Sequence, residues 1–173
     1  MKKIFIFTLL IGVFFQFNYS FSEVPHYIDF SKVLNNSVAG AKAQKFLKEK
    51  FSLESAKFSK MEKDLLKKES ELIAKKKIIT SDEFKKNITG LRTQVKKMQE
   101  EKRKSVENIS TLKKSARKQL YKALNPIIQN YMTKNKIRVV LDKKGIILAD
   151  KNLEITDQVI ELLNKQVKSL KLK

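Results

Sequence analysis

The chain has 173 residues, no cysteine, no tryptophan and a formal net charge of +20 at pH 7. Without cysteine there are no disulfides, thiolate metal ligands or cysteine nucleophiles, and the single histidine, His26, has no acid or nucleophile arranged around it in the sequence. The basic excess calls for an anionic partner, but only Arg92, Arg103, Arg117 and Arg138 are arginine and no aromatic stacking platform accompanies them, which argues against nucleic acid.

Lys2 and Lys3 precede an apolar run from Ile4 to Phe15, and Ser20-Phe21-Ser22 places small residues before Glu23. Charge, length and small-residue site read as a secretory signal peptide over 1–22, cleaved near Ser22-Glu23. The exported chain then carries +18, since Lys2 and Lys3 leave without an acid, and it has no second apolar stretch of spanning length.

Pro25–Phe30 reads as a short strand opened by a proline. Ser31 is placed to cap a brief helix through Leu34, and Ser37, after Asn35-Asn36, to cap the next, which is expected to reach about Ile78. At Thr80-Ser81-Asp82-Glu83 the residues fit a capping box, in which the Thr80 hydroxyl and Glu83 carboxylate each satisfy an orphan backbone donor. Ile79 and Phe84 flank it as a hydrophobic staple.

Around this turn the sequence is mirrored. Backwards from Ile79 a 4-3 track runs through Lys75, Leu72, Lys68, Leu65, Met61, Phe58, Glu54, Phe51 and Leu47. Forwards from Phe84 the same steps give Ile88, Leu91, Val95, Met98, Lys102, Ser105, Ile109, Leu112 and Ala116. Such spacing holds side chains on one helical stripe, so folding at the turn pairs Leu72 with Leu91, Leu65 with Met98 and Phe51 with Leu112. The middle of the chain is therefore predicted to be a long antiparallel helical hairpin. Polar residues at Lys75, Lys68, Lys102, Ser105 and Glu54 weaken the seam and favour arms that bend.

The returning helix is expected to kink at Pro126 and resume to about Lys134. Ile137–Leu141 and Gly145–Ala149 then read as two strands of a hairpin, with Gly145 in the left-handed position of the turn. Thr156 is placed to cap a last helix carrying Val159, Ile160, Leu163, Val167 and Leu170. The fold class is mainly α with a small β body (α+β): an arm over 37–117 and a body from 23–36 and 118–173. Three short strands leave exposed edges, which an oligomer would cover.

The stretch Val139-Val140-Leu141-Asp142-Lys143-Lys144-Gly145-Ile146-Ile147-Leu148, with Leu153-Glu154-Ile155-Thr156-Asp157-Gln158-Val159-Ile160 and Leu163-Asn164, resembles the C-terminal signature of the Skp/OmpH family of periplasmic chaperones. Ile28-Asp29-Phe30-Ser31-Lys32-Val33-Leu34 is similar to that family's opening strand and turn. The resemblance spans essentially the exported chain. It implies a jellyfish-like homotrimer in the periplasm, with three helical arms enclosing a cavity. It also implies an ATP-independent holdase that shields unfolded outer-membrane β-barrel proteins, with no catalytic residue, cofactor or metal.

The residues agree with a non-enzymatic role, since the sequence has no glycine-rich phosphate loop, metal-ligand cluster or paired acids in a globular core. Lysines along the arms would hold a client electrostatically while leaving it mobile; Lys75, Lys76, Lys85, Arg92 and Lys96 are the candidate client contacts. Each also has a plainer reading as solvated helix surface. An anionic membrane surface is a further possible partner for the basic excess. The alternative is a non-chaperone coiled-coil scaffold of the cell envelope, which would show no affinity for unfolded chains.

Overall fold

The computed structural model describes residues 24–172; the signal peptide expected over 1–22 and its cleavage point at Glu23 lie outside the described residues. In chain order the elements are β1 (His26–Ile28), α1 (Phe30–Asn36), α2 (Val38–Ala74), α3 (Ser81–Lys134), β2 (Val140–Asp142) and α4 (Thr156–Gln166). Short 3-10 turns at Lys75–Lys77, Lys143–Gly145 and Lys151–Leu153 complete them.

Caps explain where the helices begin. The Asp29 carboxylate accepts from the Lys32 amide at 2.9 Å and starts α1, two residues earlier than the expected Ser31 cap. Asp29 holds the extended backbone a cap needs, whereas Ser31 already lies inside the helix. The fully buried Ser37 hydroxyl accepts from the Gly40 amide at 3.1 Å and starts α2, as expected. A Cβ at Gly40 would overlap the Leu34 carbonyl oxygen, so the α1–α2 corner closes only around glycine.

Helix α2 gives way to the 3-10 turn at Lys75, earlier than the expected Ile78. Thr80 then caps α3: its hydroxyl accepts from the Glu83 amide at 3.2 Å. The Glu83 carboxylate accepts from the Thr80 hydroxyl at 3.5 Å rather than from the Thr80 backbone. Helix α3 runs unbroken through Pro126 to Lys134. The proline ring leaves the carbonyl four residues back without its usual donor. Lys136, at φ 56°, then reverses the chain, and the Ile137 amide donates to Met132 O at 2.9 Å.

The β body departs from the sequence expectation. Its two strands are parallel, with His26, Tyr27 and Ile28 opposite Val140, Leu141 and Asp142. On the other side of β1, Tyr27 forms an isolated parallel bridge to Glu154, and the Ile155 amide donates to Tyr27 O at 3.0 Å. β1 is thus the centre of the small sheet. Gly145–Ala149 is not a strand, so no antiparallel hairpin forms, and Gly145 does not have positive φ. The Asp142 carboxylate instead accepts from the Lys144 amide and winds residues 143–145 into a 3-10 turn. Nor does Thr156 cap α4; the cap position is Ile155, with no side-chain bond. The Thr156 hydroxyl accepts from the Asp29 amide at 2.9 Å and donates to Glu154 at 2.8 Å, tying α4 to the start of α1.

The core sits beneath this sheet. Ile28, Phe30 and Val33 meet Leu120, Leu124 and Ile127 of α3 and Ile155, Val159, Ile160 and Leu163 around α4. Burial of each large aliphatic side chain contributes about 1.5–3 kcal/mol. At its rim the Phe30 and Tyr121 rings stack 3.6 Å apart, with the Arg117 guanidinium 5.5 and 5.9 Å from the two ring centres. An ion-pair belt closes the polar side: Lys32 to Asp157 at 2.7 Å and Lys143 to Glu154 at 3.1 Å. The Thr156 hydroxyl first, and Lys143 second, hold the Glu154 carboxyl below its usual value. The same pairs raise Lys32, through the Asp157 hydrogen bond, and Lys143, through Glu154.

Candidate functional site: the grooved helical arm

Helices α2 and α3 pack against each other, and two side-chain pairs register them: Lys68 Nζ donates to Gln94 at 3.0 Å, and Lys102 Nζ to Glu62 at 2.7 Å. Each pair lies one residue from a rung of the mirrored tracks. The buried stripe runs through Phe58, Met98, Leu112 and Ala116, with Met61, Leu65, Leu72, Leu91 and Val95 half-buried. Phe51 departs from its expected place: it is 55% exposed, and Lys50 takes the half-buried position. Lys68 and Lys102, which the tracks placed in the seam, carry their ammonium groups out to polar partners on the facing helix.

A hairpin of only two helices cannot cover the flanks of its own seam, and a groove runs along each side. One, of about 570 Å³, has Leu65, Ile88, Leu91, Val95 and Met98 as its floor and Glu62, Leu66, Glu69, Arg92, Lys96 and Gln99 along its walls. On the opposite side Met61, Leu65 and Met98 floor a smaller groove of about 270 Å³, walled by Asp64, Lys68, Gln94, Lys97 and Glu101. Toward the turn a third groove is lined by Lys68, Glu71, Leu72, Lys75, Ile79, Lys86 and Gln94. All are open to solvent and mix apolar floor with charged wall, so they suit a polypeptide surface better than an enclosed small molecule. Among the described residues no group of three or more His, Asp or Glu side chains is placed to hold a metal ion.

The candidate residues divide among these surfaces. Arg92 and Lys96 share the larger groove, while Lys75 lines the groove near the turn. Lys76 lies 5.7 Å over the Phe84 ring at the turn, and Lys85 sits 4.0 Å from Asp82 one helical step away. The structure does not gather the five into one site. The sequence reading missed Leu66 and Ile73, which are 62% and 57% exposed and lie outside the seam track. Their signal was their offset from the 4-3 stripe, which a search for the seam discards. His26 lies half-buried in β1 with Nδ1 lacking a hydrogen-bond partner.

At the other end of the molecule the residues after β2 are apolar and uncovered. Ile147 and Leu148 are 104% and 92% exposed, and Val139 and Leu141 beside them 49% and 42%. Among the described residues no helix is long and apolar enough to cross a membrane.

The family model described as "Outer membrane protein (OmpH-like)" matches residues 26–163, from β1 through the core face of α4. The chain belongs to the OmpH-like family. Its fold is shared with an OmpH-like protein from Caulobacter crescentus CB15, assigned as an outer membrane chaperone, whose crystal structure superposes with a TM-score of 0.77 at 23% identity. The match covers 86% of this OmpH-like chain and 89% of the other. Among curated proteins none matches significantly.

Proposed function

We propose that this OmpH-like protein is an ATP-independent periplasmic holdase that binds unfolded outer-membrane β-barrel proteins between helical arms and prevents their aggregation. The observation that carries the reading is the arm itself: a two-helix hairpin with open, apolar-floored and charge-walled grooves, displayed far from the core. A rigid pocket would select one ligand; open grooves on a marginally covered seam accept many chains weakly. The family name and the chaperone assignment of the Caulobacter relative support the same direction. Working as a holdase requires several arms around one client. The bare Ile147-Leu148 segment and the half-exposed Val139 and Leu141 support assembly, since exposed apolar patches of this kind mark association surfaces. The homotrimer is the form proposed, with 37–117 as the arm and 23–36 plus 118–173 as the hub.

The chain lacks tryptophan, so client tryptophan fluorescence reads binding without background. Titrating the protein into a β-barrel protein diluted from denaturant, with no nucleotide, is expected to shift the client emission saturably at about one assembly per client. No shift at any ratio would exclude the holdase reading.

A further inference from the structure

The two faces of the arm are chemically different. On one, α3 presents Lys85, Arg92, Lys96 and Arg103, at steps of seven, four and seven that keep them on one stripe. Facing them across the larger groove, α2 presents Leu66, with Ile73 seven residues further on the same stripe, both more than half exposed, beside Glu69 and a Glu62 already bonded to Lys102. Arg92 and Lys96 have no ion-pair or hydrogen-bond partner among the described residues. Two of the chain's four arginines lie on this stripe, and arginine pairs with carboxylates through a fork of donors. The other face, over the same length, carries Asp64, Lys68, Gln94, Lys97 and Glu101 in its groove walls; Lys68 is already bonded to Gln94 and no large apolar side chain stands exposed in those walls.

We infer that the face carrying Leu66, Ile73, Arg92 and Lys96 is the one that bears the client. This rests on the holdase reading and adds which side of the arm turns toward the bound chain. The occupant it fits is an unfolded polypeptide segment with carboxylates among apolar side chains. Apolar groups would lie on Leu66 and Ile73 beside the seam floor, and carboxylates would reach the unpartnered guanidinium and ammonium opposite. The other face has one unpartnered cation, Lys97, but its apolar floor of Met61, Leu65 and Met98 is recessed and no large apolar side chain stands exposed beside it, so that face is left toward solvent.

The test places photo-crosslinking benzoylphenylalanine singly at Leu66, Lys96, Asp64 and Lys97, all in the full chain. Each is illuminated with a β-barrel protein freshly diluted from denaturant. Leu66 and Lys96 are expected to give several-fold more client adduct than Asp64 and Lys97. Arg92→Gln with Lys96→Gln should lower the adduct from Leu66 several-fold, while Lys68→Gln with Lys97→Gln leaves it unchanged. Equal yields from both faces, or a preference for Asp64 and Lys97, would overturn the assignment while the client still bound. Copy-to-copy adducts from Leu66 in place of client adducts would overturn it too, by showing the face to be a packing interface. So would loss of the adduct on adding phosphatidylglycerol vesicles to preformed client complex, since the face would then prefer an anionic membrane surface. If no position gave adduct and the unmodified protein failed to shift client fluorescence, the holdase reading itself would fall.

Discussion

Deleting residues 55–108 and joining Glu54 to Ile109 through a short glycine turn is expected to preserve assembly and abolish protection of an unfolded client. The cut removes 55–81 and 82–108, equal stretches on either side of the mirror point, and takes both walls of the larger groove with it. Of the buried hydrophobic side chains it removes only Phe58 and Met98; the cluster from Ile28 to Val33, Leu120 to Ile127 and Ile155 to Leu163 is untouched. Burial of that cluster is the main favourable term for the body, so the shortened chain should fold and elute as the same oligomer in size-exclusion chromatography with light scattering. A shortened protein that eluted as a monomer would place the hub in the arms. One that still kept a client soluble would place the client elsewhere.

The second large effect is expected at the opposite end. Ile147→Asp combined with Leu148→Asp should convert the oligomer to a folded monomer. Both side chains are fully exposed in the single chain, so a charge there costs the isolated fold almost nothing. Buried between copies, each aspartate would forfeit about 1.5–3 kcal/mol of apolar transfer. Each would also add several kcal/mol of unpaired-charge desolvation. Leu141→Asp should act in the same direction but more weakly, because Leu141 is 42% exposed and lies in β2 against β1. Circular dichroism separates the outcomes: helical signal retained with monomer mass is expected, whereas an unchanged oligomer would show that the Ile147-Leu148 segment is not part of the interface.

The arm was legible because its two partners lie on either side of one turn, so a mirrored pattern specifies both the elements and their register. Thr80, Glu83, Ile79 and Phe84 mark the turn by local chemistry alone, and the Thr80 cap is present in the structure. The body was less legible for the opposite reason. Val140 and Leu141 read correctly as strand-formers, but a period of two carries no information on partner or direction, and the partner of β2 is β1, more than a hundred residues earlier. Ile146-Ile147-Leu148 reads as a strand because β-branched apolar runs do so wherever they occur; a single chain offers it nothing to pair with. Thr156 has the side chain of a cap, yet its hydroxyl donates to Glu154 and accepts from the Asp29 amide, a contact that no local window contains. On the arm, the seam residues emerged and the flanks did not. Leu66 and Ile73 lie off the 4-3 track; Lys85, Arg92 and Lys96 stood out as candidate contacts, but their common stripe with Arg103 did not, among many other lysines that are only solvated surface.

The most direct measurement of holdase action is the light scattering of a β-barrel protein diluted from denaturant, with and without the intact protein, in the absence of nucleotide and at two salt concentrations. At low salt, scattering should be suppressed at about one assembly per client. Above about 0.15 M salt, where charges further apart than about 8 Å are screened, suppression should weaken as the Arg92 and Lys96 contacts fade. It should persist in part, because contacts to Leu66, Ile73 and the groove floor are not screened. Complete loss in salt would reduce the protein to a non-specific polycation, and equal aggregation with and without it would contradict the chaperone function outright.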